Sequence, residues 1–480
     1  MSSENGHSTN GVAAPSAAPG KAPASSADYG KTASFLAVGV GLTGVITYAY
    51  FLIASHTLSK PDYGQITVLW SAVFITISTL YRPIEQLLSR HISERIVKGQ
   101  SLSEPMRVAS TIQFGLSLLF TVIALALRGP IQNTLLEGNE TLYWVFFTSV
   151  LFYAASYFAR GFLAGSQRFG LFVALILSES CFRTIFAVLV VVGILSGQGW
   201  VAIGITAAPA LSLLVVPFAF ARKAQQDKAA APPPEVTAAA GDDAEAFSFR
   251  HGGGFAAAVL LIMFSEQAFL NAGPLVIRGL QGAAEAGFIF NVLMIARAPL
   301  QLFQSVSTSI LPHLTSLHTS DDPDSDREFS HTVKMVLLGI TAFTGAALVF
   351  MAAVGPKAMQ IAFGKNFTYD RAGLLLVTVG MGLYLASVTL NQACVAQGQV
   401  RRAAVRWITC AVVFIGWNFV PLVSNEQRRV EIGFLLAAGV LFLLLLWVYR
   451  HPHEDHPEDA PTPGSPEELE ARLAIIDENV

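Results

Sequence analysis

Charged residues are scarce in this chain: Asp, Glu, Lys and Arg together make up 13% of its 480 residues. Soluble globular proteins carry about 25% charged residues. Hydrophobic residues reach 53%, so most of the surface must face lipid rather than water. The net charge of −3 also argues against nucleic acid as a partner, because a nucleic-acid-binding surface is basic.

Cysteine occurs only three times, at Cys181, Cys394 and Cys410, each within an apolar run. This pattern predicts buried thiols, with neither a disulfide framework nor a metal site. The sequence also lacks a Gly-rich phosphate-binding loop, a nucleophile elbow and a His-Glu-x-x-His zinc motif. We therefore predict a protein that is not an enzyme and that uses no cofactor.

Long apolar stretches are abundant. A helix needs about 20 apolar residues to cross the hydrocarbon core of a membrane, and twelve stretches qualify. They predict an all-α polytopic membrane protein with two bundles of six transmembrane helices. The predicted helices are Ala33–Ser55, Gly64–Leu88, Val108–Leu127, Leu142–Ala159, Phe169–Leu195, Gly199–Ala221, Gly254–Ile277, Gly287–Leu311, Val333–Val354, Ala372–Ala396, Ala403–Val423 and Ile432–Tyr449.

Composition shifts divide the chain into five predicted segments. They are a disordered cytoplasmic tail (1–32), an N-terminal bundle (33–221), a cytoplasmic linker (222–253), a C-terminal bundle (254–449) and a cytoplasmic tail (450–480). In the last segment, the capping sequence Ser465–Glu468 predicts a short amphipathic helix. His451, His453 and His456 could bind a metal, but a solvated tail is the favoured interpretation, and no metal site is predicted.

Both termini are predicted to be cytoplasmic. The connections after even-numbered helices, together with the two tails, hold more Lys and Arg than the other connections. Cytoplasmic loops of membrane proteins are enriched in these residues.

An internal repeat relates the two bundles. The stretch Pro61–Lys98 recurs in the second bundle after a shift of 223 positions (287 − 64), which pairs Gly64 with Gly287 and Asp62 with Glu285. The repeat predicts a duplicated unit whose function lies between the halves.

Six charged residues fall within predicted membrane helices. Each costs about 2.5–3.5 kcal/mol on insertion scales, so a shared hydrated cavity is expected. The six are Arg82, Glu85, Glu179, Arg183, Glu266 and Arg297.

The arginines are candidate substrate-binding residues. Arg297 is either a cation for an anionic cargo or the structural partner of a glutamate. Arg82 either receives a head group or extends to the membrane interface. Glu179 and Arg183 are four residues apart, which predicts a structural charge pair on one inward-facing side of their helix.

Glu266 and Asn271 are candidate ion-coupling residues. Glu266 has no basic residue within helical reach, and the polar, helix-loosening run after it contains Asn271, Gly273 and Pro274. Such a segment is typical of a proton or sodium site. The alternative is a glutamic acid that burial keeps protonated.

Two motifs carry a resemblance to a known family. Lys60-Pro-Asp-Tyr-Gly64 precedes the second helix, and Arg160-Gly161-x-x-x-Gly165-x-x-Arg168-Phe169 follows the fourth. With the two six-helix halves, they resemble the polysaccharide-exporter branch of the multidrug/oligosaccharidyl-lipid/polysaccharide (MATE-like) superfamily. The second half has no clear Arg-Gly loop, which is a departure from the pattern.

The resemblance implies a bacterial inner-membrane flippase that moves lipid-diphosphate-linked oligosaccharides outward by alternating access. It implies cavity arginines that face the diphosphate, for which Arg82, Arg183 and Arg297 are available. It also implies a polysaccharide polymerase and glycosyltransferases as partners.

Three alternatives remain open. The first is a MATE-like exporter of cations or drugs, because three of the six buried charges are acidic. The second is a membrane glycosyltransferase or ligase. The third is a helper subunit of a polysaccharide synthesis complex, in which the arginines would be dispensable.

Overall fold

The structure is a computed structural model that describes residues 26–217, 249–295 and 325–451, apart from residues 365, 366 and 368. Most of the predicted N-terminal tail, most of the predicted linker and the predicted C-terminal amphipathic helix lie outside these residues. Arg297 also lies outside them.

Seven α-helices and one π-helical turn are described in the N-terminal half. They are α1 (Ser26–Thr57), α2 (Lys60–Leu80), α3 (Arg82–Val97), α4 (Ser103–Ala126), the π-helical turn (Pro130–Leu135), α5 (Glu140–Gly165), α6 (Phe169–Val191) and α7 (Gln198–Ser212).

Six helices are described in the C-terminal half. They are α8 (Phe249–Gln281), α9 (Ala283–Ile295), α10 (Ser325–Phe363), α11 (Arg371–Ala396), α12 (Val400–Trp417) and α13 (Glu426–Arg450). The described residues contain no β-strand, as the all-α prediction requires.

Ten helical segments among the described residues are long and apolar enough to cross a membrane. The continuous run Lys60–Ile96, which joins α2 and α3, is one of them. The chain is therefore a multi-pass membrane protein. Of the other predicted spans, α9 is described only as far as Ile295, and α12 carries Arg401, Arg402 and Arg406 in its first two turns.

Polar residues set the starts of several helices. Ser59 caps α2 by accepting a hydrogen bond from the backbone N–H of Asp62 (3.3 Å), and Pro61 lies in the first turn, where no backbone donor is needed. The predicted Pro-Asp-Tyr-Gly motif is thus a helix start.

The predicted second helix, Gly64–Leu88, is interrupted. α2 ends at Leu80 and α3 begins at Arg82, with Pro83 in the first turn of α3. Proline cannot donate a backbone hydrogen bond within a helix, which explains the break.

Several helices extend beyond their predicted ends, and two of these extensions bear on charged residues. α5 continues six residues past the predicted end at Ala159, to Gly165 (165 − 159), so Arg160 is helical. α13 begins at Glu426 rather than Ile432, which places Glu431 inside the helix.

The halves meet where α2 packs along α8 and where the starts of α2 and α9 cross. At this crossing Gly64 approaches the backbone of Ala283, and Gly287 approaches Gly64 itself. The residues that the repeat pairs are therefore in contact.

Candidate functional site

Arg183 lies in the middle of α6 and is buried in the N-terminal half, with 2% of its surface exposed. Its guanidinium donates hydrogen bonds to the hydroxyls of Tyr153 (3.2 Å), Thr47 (3.1 Å) and Ser180 (3.3 Å). The same group lies 4.4 Å from the ring centroid of Trp70, within cation–π range. These four partners are neutral.

The charge of Arg183 has no carboxylate partner among the described residues, where its recorded contacts are hydroxyls and aromatic rings. Its Nε atom is buried and has no hydrogen-bond partner there. Buried charges in proteins are usually paired. Arg183 is therefore a candidate for binding an anionic group.

Glu179 pairs with Arg160 on α5. Ser156 donates a hydrogen bond to the same carboxylate oxygen, at 3.3 Å. The predicted structural pair between Glu179 and Arg183 is therefore wrong. The four-residue spacing permits such a pair, but the Glu179 side chain turns toward α5 while Arg183 contacts α1, α2 and α5.

Arg160 was not predicted as a site residue, because α5 was predicted to end one residue before it. The signal that could have found it is the Arg160-Gly161 motif. A Cβ atom on Gly161 would lie 2.8 Å from the carbonyl oxygen of Glu85, and one on Gly165 would lie 2.6 Å from that of Ser89. The two glycines let α5 pack directly on the backbone of α3.

This packing places charges from three helices in one region. The positive charges of Arg160 and Arg82 both act on the carboxylate of Glu85. We call Arg82, Glu85, Arg160, Glu179 and Arg183 the N-half charge network.

Arg82 links this network to the other half. Its charge acts on the carboxylate of Glu266 on α8. Both residues are half-buried. The structure thus supplies the basic neighbour that Glu266 lacks within its own helix.

The polar run after Glu266 remains helical. Asn271 donates hydrogen bonds to the backbone oxygen and to Oε1 of Gln267, both at 3.2 Å. Asn271 is 2% exposed, and its Oδ1 atom has no hydrogen-bond partner among the described residues. α8 continues through Pro274. The predicted ion-coupling residues thus include one buried oxygen that is available to a cation.

The N-half charge network and Glu266 together are formally neutral. The described groups are three arginines (Arg82, Arg160, Arg183) and three glutamates (Glu85, Glu179, Glu266), so the sum is zero (3 − 3). Arg297 is not included, because it lies outside the described residues.

A groove of about 560 Å³ opens beside Glu85. Residues of α3, including Ser89 and Ser93, form one wall, and Phe169 and Phe172 at the start of α6 contribute to the other. It provides space next to the N-half charge network.

A second charged cluster was not predicted. Arg428 contacts Asp370 at 2.6 Å and Glu431 at 2.7 Å, and Tyr369 donates a hydrogen bond to Glu431. Glu431 is buried near the start of α13. Both ion pairs join residues of the C-terminal half to each other, so we interpret them as structural.

Comparison with solved structures identifies the fold. An inward-facing multidrug resistance MATE family transporter of the MOP superfamily matches with a TM-score of 0.55 at 14% identity, over 86% of this chain and 97% of that chain. A MATE transporter from Vibrio cholerae matches with a TM-score of 0.55 at 15% identity, over 88% and 97%. A eukaryotic MATE transporter matches with a TM-score of 0.56 at 16% identity, over 88% and 96%.

No protein-family profile matches the sequence, and no curated protein does. Identities this low show a shared fold and leave the function to be argued from the site. The chain therefore has the fold of the MATE transporters.

Proposed function

We propose that the chain is a transmembrane transporter that flips a lipid-diphosphate-linked oligosaccharide from the cytoplasmic to the outer leaflet by alternating access. The observation that supports this cargo is the buried guanidinium of Arg183, which has only neutral partners among the described residues. Placing a cation in a membrane interior is costly, and an intramembrane ionisable residue is by default a functional candidate.

Arg82 is the second arginine proposed to bind the cargo. Arg82 is half-buried and has Glu85 and Glu266 within electrostatic range, so it can exchange these carboxylates for a phosphate. On this proposal Arg82 meets the head group first and Arg183 holds it deeper in the N-terminal half. The lipid tail stays in the bilayer throughout.

Glu266 and Asn271 are proposed to couple transport to a cation gradient. The support is the buried Oδ1 atom of Asn271, which has no hydrogen-bond partner among the described residues and lies five residues after Glu266 on α8. Carboxylate and amide oxygens are suitable ligands for a hard cation such as Na⁺, and a carboxylate can instead carry a proton.

A cation or drug exporter is the second candidate. It is favoured by the formal neutrality of the N-half charge network and Glu266 taken together. Glu85 and Glu266 are half-buried carboxylates that an organic cation could reach.

Reconstitution of the purified protein in liposomes separates the two. We expect accelerated flipping of a fluorescent polyprenyl-diphosphate glycan, measured by its exposure to a membrane-impermeant quencher, and no uptake of a cationic dye. Uptake of the dye without flipping of the glycan would establish the exporter instead.

The variant R183Q tests the residue itself. It removes the charge while keeping hydrogen-bonding capacity, so flipping should fall at least tenfold with unchanged protein yield. R128Q is the matched control, because Arg128 is a partly exposed arginine paired with Glu140 in the same half. Equal flipping by R183Q and R128Q would defeat the assignment of Arg183.

The same cargo implies the cellular setting. Location in a bacterial inner membrane is a prediction that depends on this cargo. So is partnership with glycosyltransferases and a polysaccharide polymerase.

A chemically altered glycan in the liposome assay would favour a ligase. Loss of export on gene deletion, with full export by R183Q, would favour a helper subunit.

A further inference from the structure

Several contacts between the described parts of the two halves lie at one end of the molecule, which we call the closed end. It contains the ends of α1, α8 and α10 and the starts of α2, α7 and α9. In the orientation predicted from Lys and Arg, this is the outer face.

Backbone contact forms the centre of the closed end. A Cβ atom on Gly64 would lie 1.8 Å from the carbonyl oxygen of Ala283, so no side chain fits there. Helices that meet through glycine can approach to backbone contact.

A buried layer surrounds the glycines. The Tyr63 hydroxyl donates a hydrogen bond to Oδ1 of Asn291, and both residues are fully buried. The Tyr63 ring also contacts Phe367 of the C-terminal half, with 5.4 Å between ring centroids. Phe51 of α1 contacts Phe290, with 4.6 Å between centroids. Water is therefore excluded between the halves at this level.

Among the described residues, an ion pair crosses the interface at its rim. Nη2 of Arg278 on α8 lies 3.3 Å from Oε1 of Glu137, and its Nε donates to the backbone oxygen of Leu135 at 3.2 Å. The other carboxylate oxygen of Glu137 accepts a hydrogen bond from Gln65 on α2. Glu137 itself is held at a positive φ of 53°. The carboxylate is thus fixed to the N-terminal half and presented to the other half.

We infer that the closed end is a gate and that the ion pair between Arg278 and Glu137 is its latch. The inference rests on the proposed transport function, because a gate requires a pathway to close. Cargo leaves when the latch opens and the halves separate at the glycine contact. Arg278 therefore controls the exit step, whereas Arg183 binds the cargo.

Thiol labelling at Ser71 tests the gate without any cargo. Ser71 lies two helical turns after Gly64 on the same face of α2 and is fully buried. Its hydroxyl has no hydrogen-bond partner among the described residues, so S71C is a conservative change. We would use S71C in a C181S background, because Cys181 is exposed, and apply a membrane-impermeant maleimide to each side of the membrane separately.

The latch is then broken and rebuilt by charge reversal. R278E and E137R should each raise the labelling rate of S71C from the closed-end side about threefold, which is the shift expected from losing a partly exposed ion pair. The double variant E137R/R278E should return the rate to that of the unmodified pair. A misfolded single variant would not be rescued in this way.

The ion pair between Arg128 and Glu140 provides the matched control. It has a separation of 2.8 Å and lies within the N-terminal half. R128E should leave labelling unchanged. The gate proposal would be wrong if R278E and E137R were labelled at the same rate as R128E. That result would not affect the flipping measurements with R183Q, so the two proposals can fail separately.

Cross-linking gives an independent readout. A short bifunctional thiol reagent on the double variant E137C/R278C should abolish flipping, and a reagent that can be cleaved should allow its recovery. The same treatment of R128C/E140C should have no effect. Continued flipping by cross-linked E137C/R278C would contradict a moving gate at this end.

Discussion

Gly287 packs against Gly64, its counterpart in the internal repeat: a Cβ atom on Gly287 would lie 3.2 Å from the Cα atom of Gly64. The same element of each copy therefore forms the crossing between the halves. A duplicated unit related by a two-fold axis brings equivalent positions together in this way.

Substitution by alanine should destabilise the protein at Gly64 but not at Gly41. G64A forces a methyl group against the carbonyl oxygen of Ala283, so the helices must separate, and overpacking of this kind costs about 1–3 kcal/mol. We expect a lower thermal unfolding temperature in detergent for G64A than for the unmodified protein. G41A is the control, because nothing lies within 4 Å of a Cβ atom at Gly41. Equal unfolding temperatures for G64A and G41A would show that the crossing is not tight.

The buried pair of Arg160 and Glu179 should contribute more to stability than an exposed pair. E179Q leaves the guanidinium of Arg160 without its carboxylate, and breaking a buried pair costs roughly 3–5 kcal/mol. E140Q breaks an exposed pair, which costs about 0.2–1 kcal/mol. Thermal unfolding in detergent should therefore place E179Q well below E140Q.

Replacement of both partners checks the origin of that loss. R160M/E179M removes both charges and should recover part of the stability that E179Q loses, since apolar substitutes for a buried pair are often tolerated. A double variant less stable than E179Q would show that the pair itself stabilises the N-terminal half.

Glu266 should control ion coupling. E266Q removes the carboxylate five residues before Asn271 on α8, so an imposed sodium or proton gradient should no longer accelerate flipping in liposomes. S265A is the control, because the Ser265 hydroxyl bonds within its own helix, to the backbone oxygen of Leu261 at 2.7 Å. A gradient response that is the same in E266Q and S265A would remove Glu266 from the coupling mechanism.

The predicted orientation can be measured with fusions. Lys and Arg are enriched on the side of the predicted C-terminal tail, so green fluorescent protein fused after residue 451 should fluoresce, as it does in the cytoplasm. Alkaline phosphatase fused after Asn425, between α12 and α13, should be active, as it is outside the inner membrane. The reverse pattern would place the closed end at the cytoplasmic face.

The sequence was sufficient to predict the architecture, because the length and apolar character of a membrane helix are local properties. The helix ends were less accurate. Gly64–Leu88 was predicted as one helix, whereas the structure has separate helices α2 and α3 at Pro83, because such a break depends on how the freed backbone groups are satisfied. The start of α13 at Glu426 depends on capping by Asn425, whose side chain accepts from the backbone N–H of Arg428.

The site was predicted only in part. Arg82, Arg183 and Glu266 were identified from the cost of a charge in hydrocarbon, which requires no tertiary information. The partner of Glu179 could not be found in this way. Helical spacing shows which side chains can meet, whereas the packing of α5 on α6 decided that Arg160 would be the one.

The contacts of Arg183 have a mechanical consequence. Its guanidinium touches Thr47 on α1, Trp70 on α2 and Tyr153 on α5 while its backbone belongs to α6. A ligand that displaced this guanidinium would break the contacts that it makes between α6 and three other helices. Arg183 thus joins four of the described helices of the N-terminal half, so a displacement of its side chain would change contacts on α1, α2, α5 and α6 together.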